Sequence, residues 1–586
     1  MIDKSSPQIT VLDAGGQYCH LIARKIRDLG VYADVRPSDT PASELRGRKG
    51  LIISGGPDSV YESGSSRIDP GILNQGSAVL GICYGQQLMA HELGGAVQKG
   101  TKGEYGLAVL ERTKSHALFA DLNGDSQVWM NHRDQVAAVP DGFEVLAKTS
   151  TCAVAAMAHR DLPLMAVQFH PEVVHTPQGH KILSNFVFRV CGCTEDWDPK
   201  DRVGPLEAEI RSVAGDRNVF FFVSGGVDST VAYALCLRAL GPDRVYGIYV
   251  DTGLMREGET EYVQRLFAEL GATAFHVEAA EAAFLGALAN VYDPEKKRHI
   301  IGEQFVAVQE RVLSTGHFLD GHWILGQGTI YPDTIESGGT ARADVIKTHH
   351  NRVAGIQKLI ETDRIIEPLS SFYKDEVREI GAELGIPGEY LHRHPFPGPG
   401  LAIRCLCSET EAKIERLEPG WLLPIRSVGV KGDSRSYHAV LALENLPTGE
   451  LATELVNRLA NINRVVGVVK SRAAMSEIQS TAGSLTRERL ARLRRADAIV
   501  RKLSQDSGFE SKVWQFPVVL IPIGKPGASD SIVLRPIHSV DGMTAQVVRM
   551  PDDLLDRMAA ELLTLDGISA VFYDLTHKPP GTIEWE

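Results

Sequence analysis

Along the first two thirds of the chain, segments with the apolar pattern of a strand alternate with segments that have the apolar pattern of a helix. Apolar residues at helical spacing occur at 86–93 and 230–240, and both stretches end at glycines. Unbroken apolar runs predict buried strands at residues 9–12, 51–53, 78–82, 219–223 and 245–250. Strands that alternate with helices form parallel sheets covered by helices on both faces, so we expect an α/β fold.

The last third of the chain has a pattern that occurs twice. A strand pair, a helix and a further strand are predicted within residues 421–469, and the same order recurs within 518–573. A charged helix rich in arginine and leucine, at 484–507, separates the two copies. We therefore expect two α+β modules related by an internal repeat.

The composition narrows the class of protein. A chain of 586 residues holds three or four domains at roughly 100–200 residues each. The formal net charge of -13 argues against a large nucleic-acid footprint. The start of the chain lacks the apolar core of a signal peptide, and no apolar run reaches the roughly 18 residues that could cross a membrane. We expect a cytoplasmic enzyme that binds neither nucleic acid nor membrane.

The eight cysteines include no CxxC pair, so we do not expect a zinc site. In a cytoplasmic chain, CxC pairs are interpreted as ordinary reduced thiols. This applies to Cys191 with Cys193 and to Cys405 with Cys407.

Cys83 differs from the other cysteines because it lies in the string Gly81-Ile82-Cys83-Tyr84-Gly85, between a predicted strand and a predicted helix. A nucleophile in such a turn stands clear of the sheet, and the helix N-terminus favours its thiolate. His170 and Glu172, in the string HisProGlu, can complete a set of nucleophile, base and orienting acid.

With this elbow, residues 8–190 resemble the class I glutamine amidotransferases, which hydrolyse glutamine to glutamate and ammonia. The resemblance implies that Cys83 attacks the amide, that His170 transfers the proton and that Glu172 orients His170. Backbone N–H groups near Gly56 and Tyr84 would stabilise the oxyanion, at about 3 kcal/mol for each donor.

The resemblance also assigns the wall of the glutamine pocket. Gln87 and the turn Asn131-His132-Arg133-Asp134 would line it. The family has glycine where this chain has Arg133, so the contacts that the turn makes with glutamine stay open.

A second motif, SerGlyGlyValAspSerThr, lies between the strand predicted at 219–223 and the helix predicted at 230–240. A glycine turn that leads into a helix leaves backbone N–H groups free for a phosphate. No lysine follows in Walker A spacing. The string resembles the pyrophosphate loop of the N-type ATP pyrophosphatases, which implies an ATP site at Ser224, Gly225, Gly226, Val227, Asp228, Ser229 and Thr230.

Two carboxylates are expected near this loop. Asp228 and Asp251 both lie near the phosphates if the sheet is doubly wound, and either can bind Mg²⁺ directly or through water. Asp251 is equally well interpreted as a turn residue, so we assign the metal to Asp228.

Four polar stretches further along the chain are candidates for the rest of this site. The charged run at 293–298 is either a solvated face or a basic lid over the phosphates. The stretches at 326–333 and 347–351 are rich in glycine and polar residues, which is typical of surface loops as well as of binding loops. Three prolines exclude regular structure from 393–401. A rigid loop there, with free amides, suits a flat heterocycle.

Together these motifs resemble the glutamine-hydrolysing GMP synthetase family. The resemblance implies a ligase that uses ATP to adenylate the 2-oxygen of XMP, and that then replaces AMP by ammonia from glutamine to give GMP. It implies Mg²⁺ with ATP and no organic prosthetic group. By their position in matched motifs, Arg256, Asp433, Gln515, Lys578 and Glu584 would contact XMP.

The resemblance also implies an organisation. We expect a doubly wound mixed sheet in a glutaminase at 1–190, a linker at 191–206, and an adenine-nucleotide α-hydrolase-like parallel sheet in an ATP pyrophosphatase at 207–404. A first dimerisation-type module at 405–483 and a second, XMP-binding module at 484–586 would follow. Relatives with one module form homodimers through it. With two modules, we expect a monomer that contains an internal pseudo-dimer.

Two alternatives stay under consideration. An ATP pyrophosphatase of this kind can act on another acceptor, such as a nicotinate nucleotide or a tRNA base. The cysteine triad disfavours the first acceptor and the net charge disfavours the second. A nucleotide-binding regulator with an inactive glutaminase would require a broken triad, whereas Cys83, His170 and Glu172 are all present.

Overall fold

The computed structural model describes residues 7–16, 18–124, 126–173, 175–336, 353–394, 396–431, 434–447, 449–459, 461–539 and 545–586. The chain forms two compact units, the first comprising Met1–Pro205 and the second beginning at Leu206. Within the described ranges, no helix has the length and apolar character needed to cross a membrane.

The first unit is built on a nine-stranded mixed sheet with the order β2-β1-β3-β4-β9-β8-β7-β5-β6. Its strands are β1 (Ile9–Asp13), β2 (Ala33–Pro37), β3 (Gly50–Ile53), β4 (Ala78–Ile82), β5 (Ala96–Arg112), β6 (Ser126–Ala138), β7 (Phe143–Lys148), β8 (Ala156–His159) and β9 (Leu164–Val167). Its helices are α1 (Cys19–Arg27), α2 (Tyr84–Glu92) and α3 (Gly179–Ser184).

Five neighbouring strands of this sheet, β2, β1, β3, β4 and β9, are parallel. Their inward side chains are almost all buried, as expected when helices cover a parallel sheet. The carboxyl ends of β4 and β9 therefore meet at one edge, where the segments after them carry Cys83 and His170.

The second unit begins with a five-stranded sheet in which every neighbouring pair is parallel, with the order β12-β11-β10-β13-β14. Its strands are β10 (Asn218–Val223), β11 (Val245–Asp251), β12 (Phe275–Ala279), β13 (Trp323–Gly326) and β14 (Ile365–Ile366). The helices are α4 (Val203–Ala214), α5 (Val227–Leu240), α6 (Glu259–Glu269), α7 (Glu281–Ala287), α8 (Pro294–Thr315), α9 (Tyr331–Glu336), α10 (Ala354–Glu361), α11 (Lys374–Glu383) and α12 (Gly388–Leu391).

The last third of the chain forms a seven-stranded sheet with the order β16-β17-β18-β19-β26-β23-β21, plus short strands beside it. The strands are β15 (Ala412–Lys413), β16 (Glu415–Leu417), β17 (Gly420–Lys431), β18 (Ser434–Leu443), β19 (Ile462–Ser471), β20 (Gln479–Ser480), β21 (Val518–Ile521), β22 (Ile523–Gly524), β23 (Asp530–Leu534), β24 (Ile537–His538), β25 (Gln546–Val547) and β26 (Ile568–Asp574). The helices are α13 (Gly449–Arg458), α14 (Arg487–Asp506) and α15 (Asp552–Leu562).

The two copies of the repeat are the two halves of this sheet. In the first copy β17 pairs antiparallel with β18, which pairs parallel with β19. In the second, β21 pairs antiparallel with β23, which pairs parallel with β26. The halves join where β19 and β26 pair antiparallel. The predicted fold class, a mixed-sheet glutaminase, a parallel-sheet domain and two α+β modules, is confirmed.

Candidate active sites

The turn after β4 gives Cys83 the geometry of a nucleophile elbow. Cys83 has φ 56° and ψ -108°, a strained conformation for a residue with a side chain, and its N–H donates to the Val167 carbonyl at 2.8 Å. A Cβ on Gly81 would lie 2.6 Å from the Gly85 carbonyl oxygen, so the turn requires glycine there. The turn thus presents Cys83 at the N-terminus of α2.

His170 and Glu172 complete a hydrogen-bonded set beside Cys83. The His170 Nδ1 and a Glu172 carboxylate oxygen are 2.6 Å apart, and both side chains are buried. A Cβ built on Gly55 would lie 3.2 Å from His170 Cε1 and 3.6 Å from Cys83 Cβ. The His170 and Cys83 side chains are therefore close to each other beside Gly55. Burial lowers the pKa of His170, but the negative charges of Glu172 and Cys83 outweigh it and raise that pKa well above its usual value.

A cavity of about 390 Å³ opens over this set. Gly56, Tyr84 and Gln87 line it, together with the residues from Asn131 to Asp134, which include Arg133. The sequence predicted a turn at Asn131–Asp134, and this is wrong, because these residues lie within strand β6. Gln87 Nε2 donates to the Asp134 carbonyl at 2.7 Å, so Gln87 supports β6 as well as facing the cavity. The volume suits a small molecule such as an amino acid.

The phosphate-loop motif follows β10 and opens α5. Gly225 has φ 73°, and the Gly226 N–H donates to Ser224 Oγ at 3.2 Å. Ser229 Oγ lies 3.1 Å from Ser224 Oγ and donates to the Gly226 carbonyl. The two hydroxyls therefore close the turn, and the first N–H groups of a 14-residue helix face the space in front of it.

The glycine-rich stretch after β13 approaches this loop closely. A Cβ on Gly328 would lie 2.7 Å from the backbone of Ser229. Thr329 Oγ1 donates to a Glu367 carboxylate oxygen at 2.5 Å, which ties the stretch to the segment after β14. The stretch at 326–333 therefore packs against the phosphate-loop motif and is not a free surface loop.

The structure distinguishes the two candidate carboxylates. Asp251 accepts from the Gly253 N–H and from Thr260 Oγ1, each at 3.0 Å, which is the arrangement expected of a turn residue. Asp228 pairs with Lys374 at 3.2 Å through Oδ2, whereas its buried Oδ1 has no hydrogen-bond partner among the described residues. Lys374, at the start of α11, was not predicted.

The charged run at 293–298 is not a lid. It forms the N-cap and first turn of α8, and the Lys297 side chain is wholly buried. Lys297 pairs with Glu586 and donates to the carbonyls of Ala402 and Cys405 at 3.2 and 3.1 Å. Burial lowers the pKa of Lys297, but Glu586 outweighs burial and raises it. The stretch at 347–351 lies outside the described residues.

Arg256 and Glu584, two of the predicted XMP contacts, are linked through Phe396 and Arg404, and Arg404 was not predicted. Arg256 pairs with the buried Asp497 at 3.2 Å, and its guanidinium lies 4.6 Å from the centre of the Phe396 ring. Arg404 lies 5.2 Å from the same ring and donates to both Glu584 carboxylate oxygens, at 2.9 and 2.7 Å. Burial lowers the pKa of Arg256 to about 10, against the opposing charge of Asp497.

Gln515 and Lys578 are linked through the short sheet β24-β25. Gln515 forms a bridge with Ile537 of β24, and Ala545, next to β25, forms one with Lys578. Asp433 lies outside the described residues. The structure therefore connects Arg256 with Glu584 and Gln515 with Lys578, and the tail after β26 carries both Lys578 and Glu584.

The tail is part of the core of the last sheet. Arg464 donates to the carbonyls of Thr582 and Glu584, and Arg535 donates to that of Thr582, at 2.8–2.9 Å. The Trp585 ring is fully buried, and its Nε1 donates to Asp574 at 2.9 Å. Such contacts fix the backbone on either side of Glu584.

Three family models match the chain. The model of glutamine amidotransferase class-I matches residues 10–190, that of NAD synthase matches 202–349, and that of the GMP synthase C terminal domain matches 502–585.

Curated proteins are similar over the full length. The chain is 42% identical to a Leptospira interrogans protein named "Probable GMP synthase (glutamine-hydrolyzing)", with 99% of each chain covered. It is 41% identical to the GMP synthase (glutamine-hydrolyzing) of Thermomicrobium roseum, covering 99% of this chain and 97% of the relative. It is 39% identical to the one of Caldicellulosiruptor saccharolyticus, covering 99% of each chain.

Proposed function

The chain belongs to the family of glutamine-hydrolysing GMP synthases, and from that premise we propose which of its residues carry out each part of the reaction. It is a C–N ligase that uses ATP, XMP and glutamine and forms GMP. The observation that carries the assignment of roles is the presence, in one chain, of a complete elbow-and-triad site and a glycine turn that opens α5.

In the glutaminase half, Cys83 Sγ attacks the side-chain amide carbon of glutamine. His170 gives its proton to the departing ammonia, and Glu172 fixes the imidazole through Nδ1. The N–H groups of Gly56 and Tyr84 stabilise the oxyanion. Water then hydrolyses the thioester and releases glutamate. Gln87 supports the part of β6 that lines the pocket.

In the synthetase half, the 2-oxygen of XMP attacks the α-phosphorus of ATP and pyrophosphate leaves. Residues Ser224 to Thr230 receive the pyrophosphate on the backbone N–H groups at the start of α5. Ammonia then attacks C2 of the adenylated purine and displaces AMP. An amide-like oxygen is a poor leaving group, and adenylation makes it a good one.

Asp228 is the residue that would hold Mg²⁺. Its Oδ1 is buried and has no hydrogen-bond partner among the described residues, and a carboxylate oxygen is a ligand that Mg²⁺ prefers. The ion would neutralise charge on the phosphates. Lys374, paired with the other oxygen of Asp228, adds positive charge beside the loop.

XMP binds between the loop around Phe396 and the tail. Arg256 and Lys578 supply the cations that its phosphate needs, and Asp433, Gln515 and Glu584 complete the contacts. Arg404 extends this set, because it fixes Glu584 through two hydrogen bonds and its Nη1 is buried without a partner among the described residues.

The family models and relatives that match the chain also bear on the alternative acceptors. The family model named NAD synthase covers only the loop-bearing part of the chain, whereas the relatives that match the whole chain are named GMP synthases. To test this, the protein is incubated with ATP, Mg²⁺ and glutamine plus XMP or a nicotinate nucleotide, and the products are separated. We expect one AMP and one GMP per XMP and no amidation of the nicotinate nucleotide. Amidation of the latter alone would contradict the proposal.

We also propose that the enzyme is a cytoplasmic monomer. The antiparallel pairing of β19 with β26 joins the two modules within one chain. If relatives with a single module dimerise through it, the second copy of the repeat takes the place of that partner within one chain. The substrates XMP and ATP are charged nucleotides that do not cross membranes unaided, which supports the cytoplasm as the compartment.

A further inference from the structure

A group of potential metal ligands includes His132, which also lines the glutamine pocket. Among the described residues, Glu104, His132 and Cys152 are the one set of three acidic, histidine or cysteine side chains whose ligand atoms all lie within 4.8 Å of one another. Glu104 of β5 and His132 of β6 are partners in the strand register. Cys152 lies in the β7–β8 connection and is fully buried.

The hydrogen bonds around His132 leave two lone pairs facing each other. Nδ1 lies 3.0 Å from the Asp134 carbonyl, so Nδ1 carries the proton and donates it. The remaining nitrogen, Nε2, lies 3.3 Å from Glu104 Oε2. Neither atom has a hydrogen-bond partner among the described residues, and His132 is more than nine-tenths buried. Two buried acceptors in contact are unfavourable unless a cation or an additional proton lies between them.

The surroundings have the form of an outer shell for a metal. The Asp134 carbonyl orients the imidazole, and Thr149 Oγ1 donates to Glu104 Oε1 at 3.3 Å. The same Thr149 oxygen accepts the Cys152 N–H at 3.0 Å and so holds the thiol beside the other two groups. Such contacts fix the ring and carboxylate orientation of metal ligands in proteins.

We propose that Glu104, His132 and Cys152 bind one divalent cation of the zinc class. One nitrogen, one sulfur and one oxygen ligand suit Zn²⁺, and three protein ligands leave its fourth position open. The thiol loses its proton to solvent on binding, and no redox change is involved. The three ligands come from separate segments of the chain. The site therefore has no CxxC spacing and could not be predicted from the sequence.

The site is connected to the glutaminase pocket. Asn131 precedes His132, and its carbonyl lies 3.6 Å from Cys83 Sγ. Asp134 accepts from Gln87 and, through its carboxylate, from Ser59 at 2.6 Å. Ligand atoms around zinc lie roughly 3–4 Å apart, given bonds of about 2.0–2.3 Å. Binding therefore holds His132 at a fixed spacing from Glu104 and Cys152 and constrains the pocket wall, so we expect a lower rate with glutamine and no change with ammonium.

Binding is tested with Cd²⁺, which reports thiolate coordination by an ultraviolet charge-transfer band. The parent is the chelator-treated Cys83→Ala protein, so that the catalytic thiol does not contribute. We expect one Cd²⁺ per chain, loss of the band in Cys152→Ala, and at least tenfold weaker binding in Glu104→Gln. The matched control is Cys236→Ala, an equally buried thiol in α5, which should bind as the parent does.

Absence of the band at one equivalent of Cd²⁺, or its survival in Cys152→Ala, would overturn the site. Glu104→Gln keeps the side-chain volume, so it guards against a misfolded cysteine variant.

A second measurement uses the active enzyme in a zinc buffer. We expect Zn²⁺ to lower glutamine-dependent GMP formation at least fivefold and to leave ammonium-dependent formation unchanged, with the sensitivity lost in Cys152→Ala. Equal inhibition of the unmodified and Cys152→Ala enzymes would show that the ion acts at Cys83, and would overturn the coupling between this site and the pocket.

Discussion

At the scale of single residues, the charge on His170 is set by its neighbours. Burial alone would keep the imidazole neutral, yet Glu172 and Cys83 raise its pKa well above the usual value. A raised pKa means that the imidazolium persists as the pH rises and is lost only at alkaline pH. The protonated ring can then serve as the acid that releases ammonia.

The first prediction concerns Glu172→Gln. Removing the carboxylate charge lowers the pKa of His170, so the alkaline limb of glutaminase kcat should move to lower pH, and kcat itself should fall by roughly 10²–10⁴-fold. The measurement is a pH profile of glutamate release. Glu62→Gln, which removes another carboxylate at the same pocket, should leave the limb in place. An unmoved limb in Glu172→Gln would contradict this account of His170.

The second prediction concerns Arg404→Lys. Lysine keeps the charge but cannot bind both Glu584 oxygens in the same plane. A loss of about 2 kcal/mol, typical of breaking one partner of a buried charged pair, raises the KM for XMP roughly thirtyfold.

The assay for Arg404→Lys is ammonium-dependent GMP formation at varied XMP, and glutamine hydrolysis should be unaffected by this change. Arg416→Lys, in an exposed ion pair, is the control. A change in kcat alone would contradict the role of Arg404 at the XMP site.

Local patterns predict which residues are catalytic, but they do not reveal the charged residues that are paired in the interior. Cys83 was predictable because glycines, a strand and a helix surround it within a few positions. Lys297 lies in a run of charges that is typical of a solvated face, and its partner Glu586 is 289 positions away in the chain. Arg404 and Lys374 were not predicted either, because their partners, Glu584 and Asp228, also lie far away in the chain. The sequence does offer a cue for Arg404. It lies inside the apolar run LeuAlaIleArgCysLeu, and a charged residue in such a run is expected to have a buried partner.

At the scale of elements, two segments far apart in sequence pack against each other at the proposed nucleotide site. The start of α5 supplies N–H groups, and the stretch after β13 packs so closely on it that only glycine fits at Gly328. Strand positions were predicted to within a few residues because apolar runs mark buried parallel strands. Which strand ends meet depends on sheet order, which such runs do not contain.

The third prediction concerns Gly328→Ala. The added methyl would lie 2.7 Å from the backbone of Ser229, so the loop must shift. A displacement of about 1 Å in a positioned site lowers the rate by roughly 10²-fold. We expect this loss in ammonium-dependent GMP formation, with glutaminase chemistry retained. Gly286→Ala, in α7 with open space around it, is the matched control. Full synthetase activity in Gly328→Ala would contradict the packing described here.

At the scale of the whole molecule, the two modules complete one seven-stranded sheet. The repeat was predictable from the order of its elements, but the edge-to-edge joining of β19 and β26 was not, because strand pairing at that distance leaves no local pattern.

The fourth prediction follows from that sheet. Sedimentation velocity at micromolar concentration should give a single species with the 63.8 kDa mass of one chain, because β19 and β26 already join the two modules within that chain. The profile should not change on tenfold dilution. A stable species of twice that mass would contradict the internal pseudo-dimer.

In the proposed reaction, one chain makes ammonia at Cys83 and consumes it at the adenylated purine of the synthetase half. The most direct measurement is GMP formation by Cys83→Ala with ATP, Mg²⁺ and XMP, with either glutamine or ammonium as nitrogen source. We predict that glutamine no longer supports the reaction and that the rate with ammonium equals that of the unmodified protein. Loss of both activities in a folded variant, or retention of the glutamine-dependent one, would contradict this division of labour.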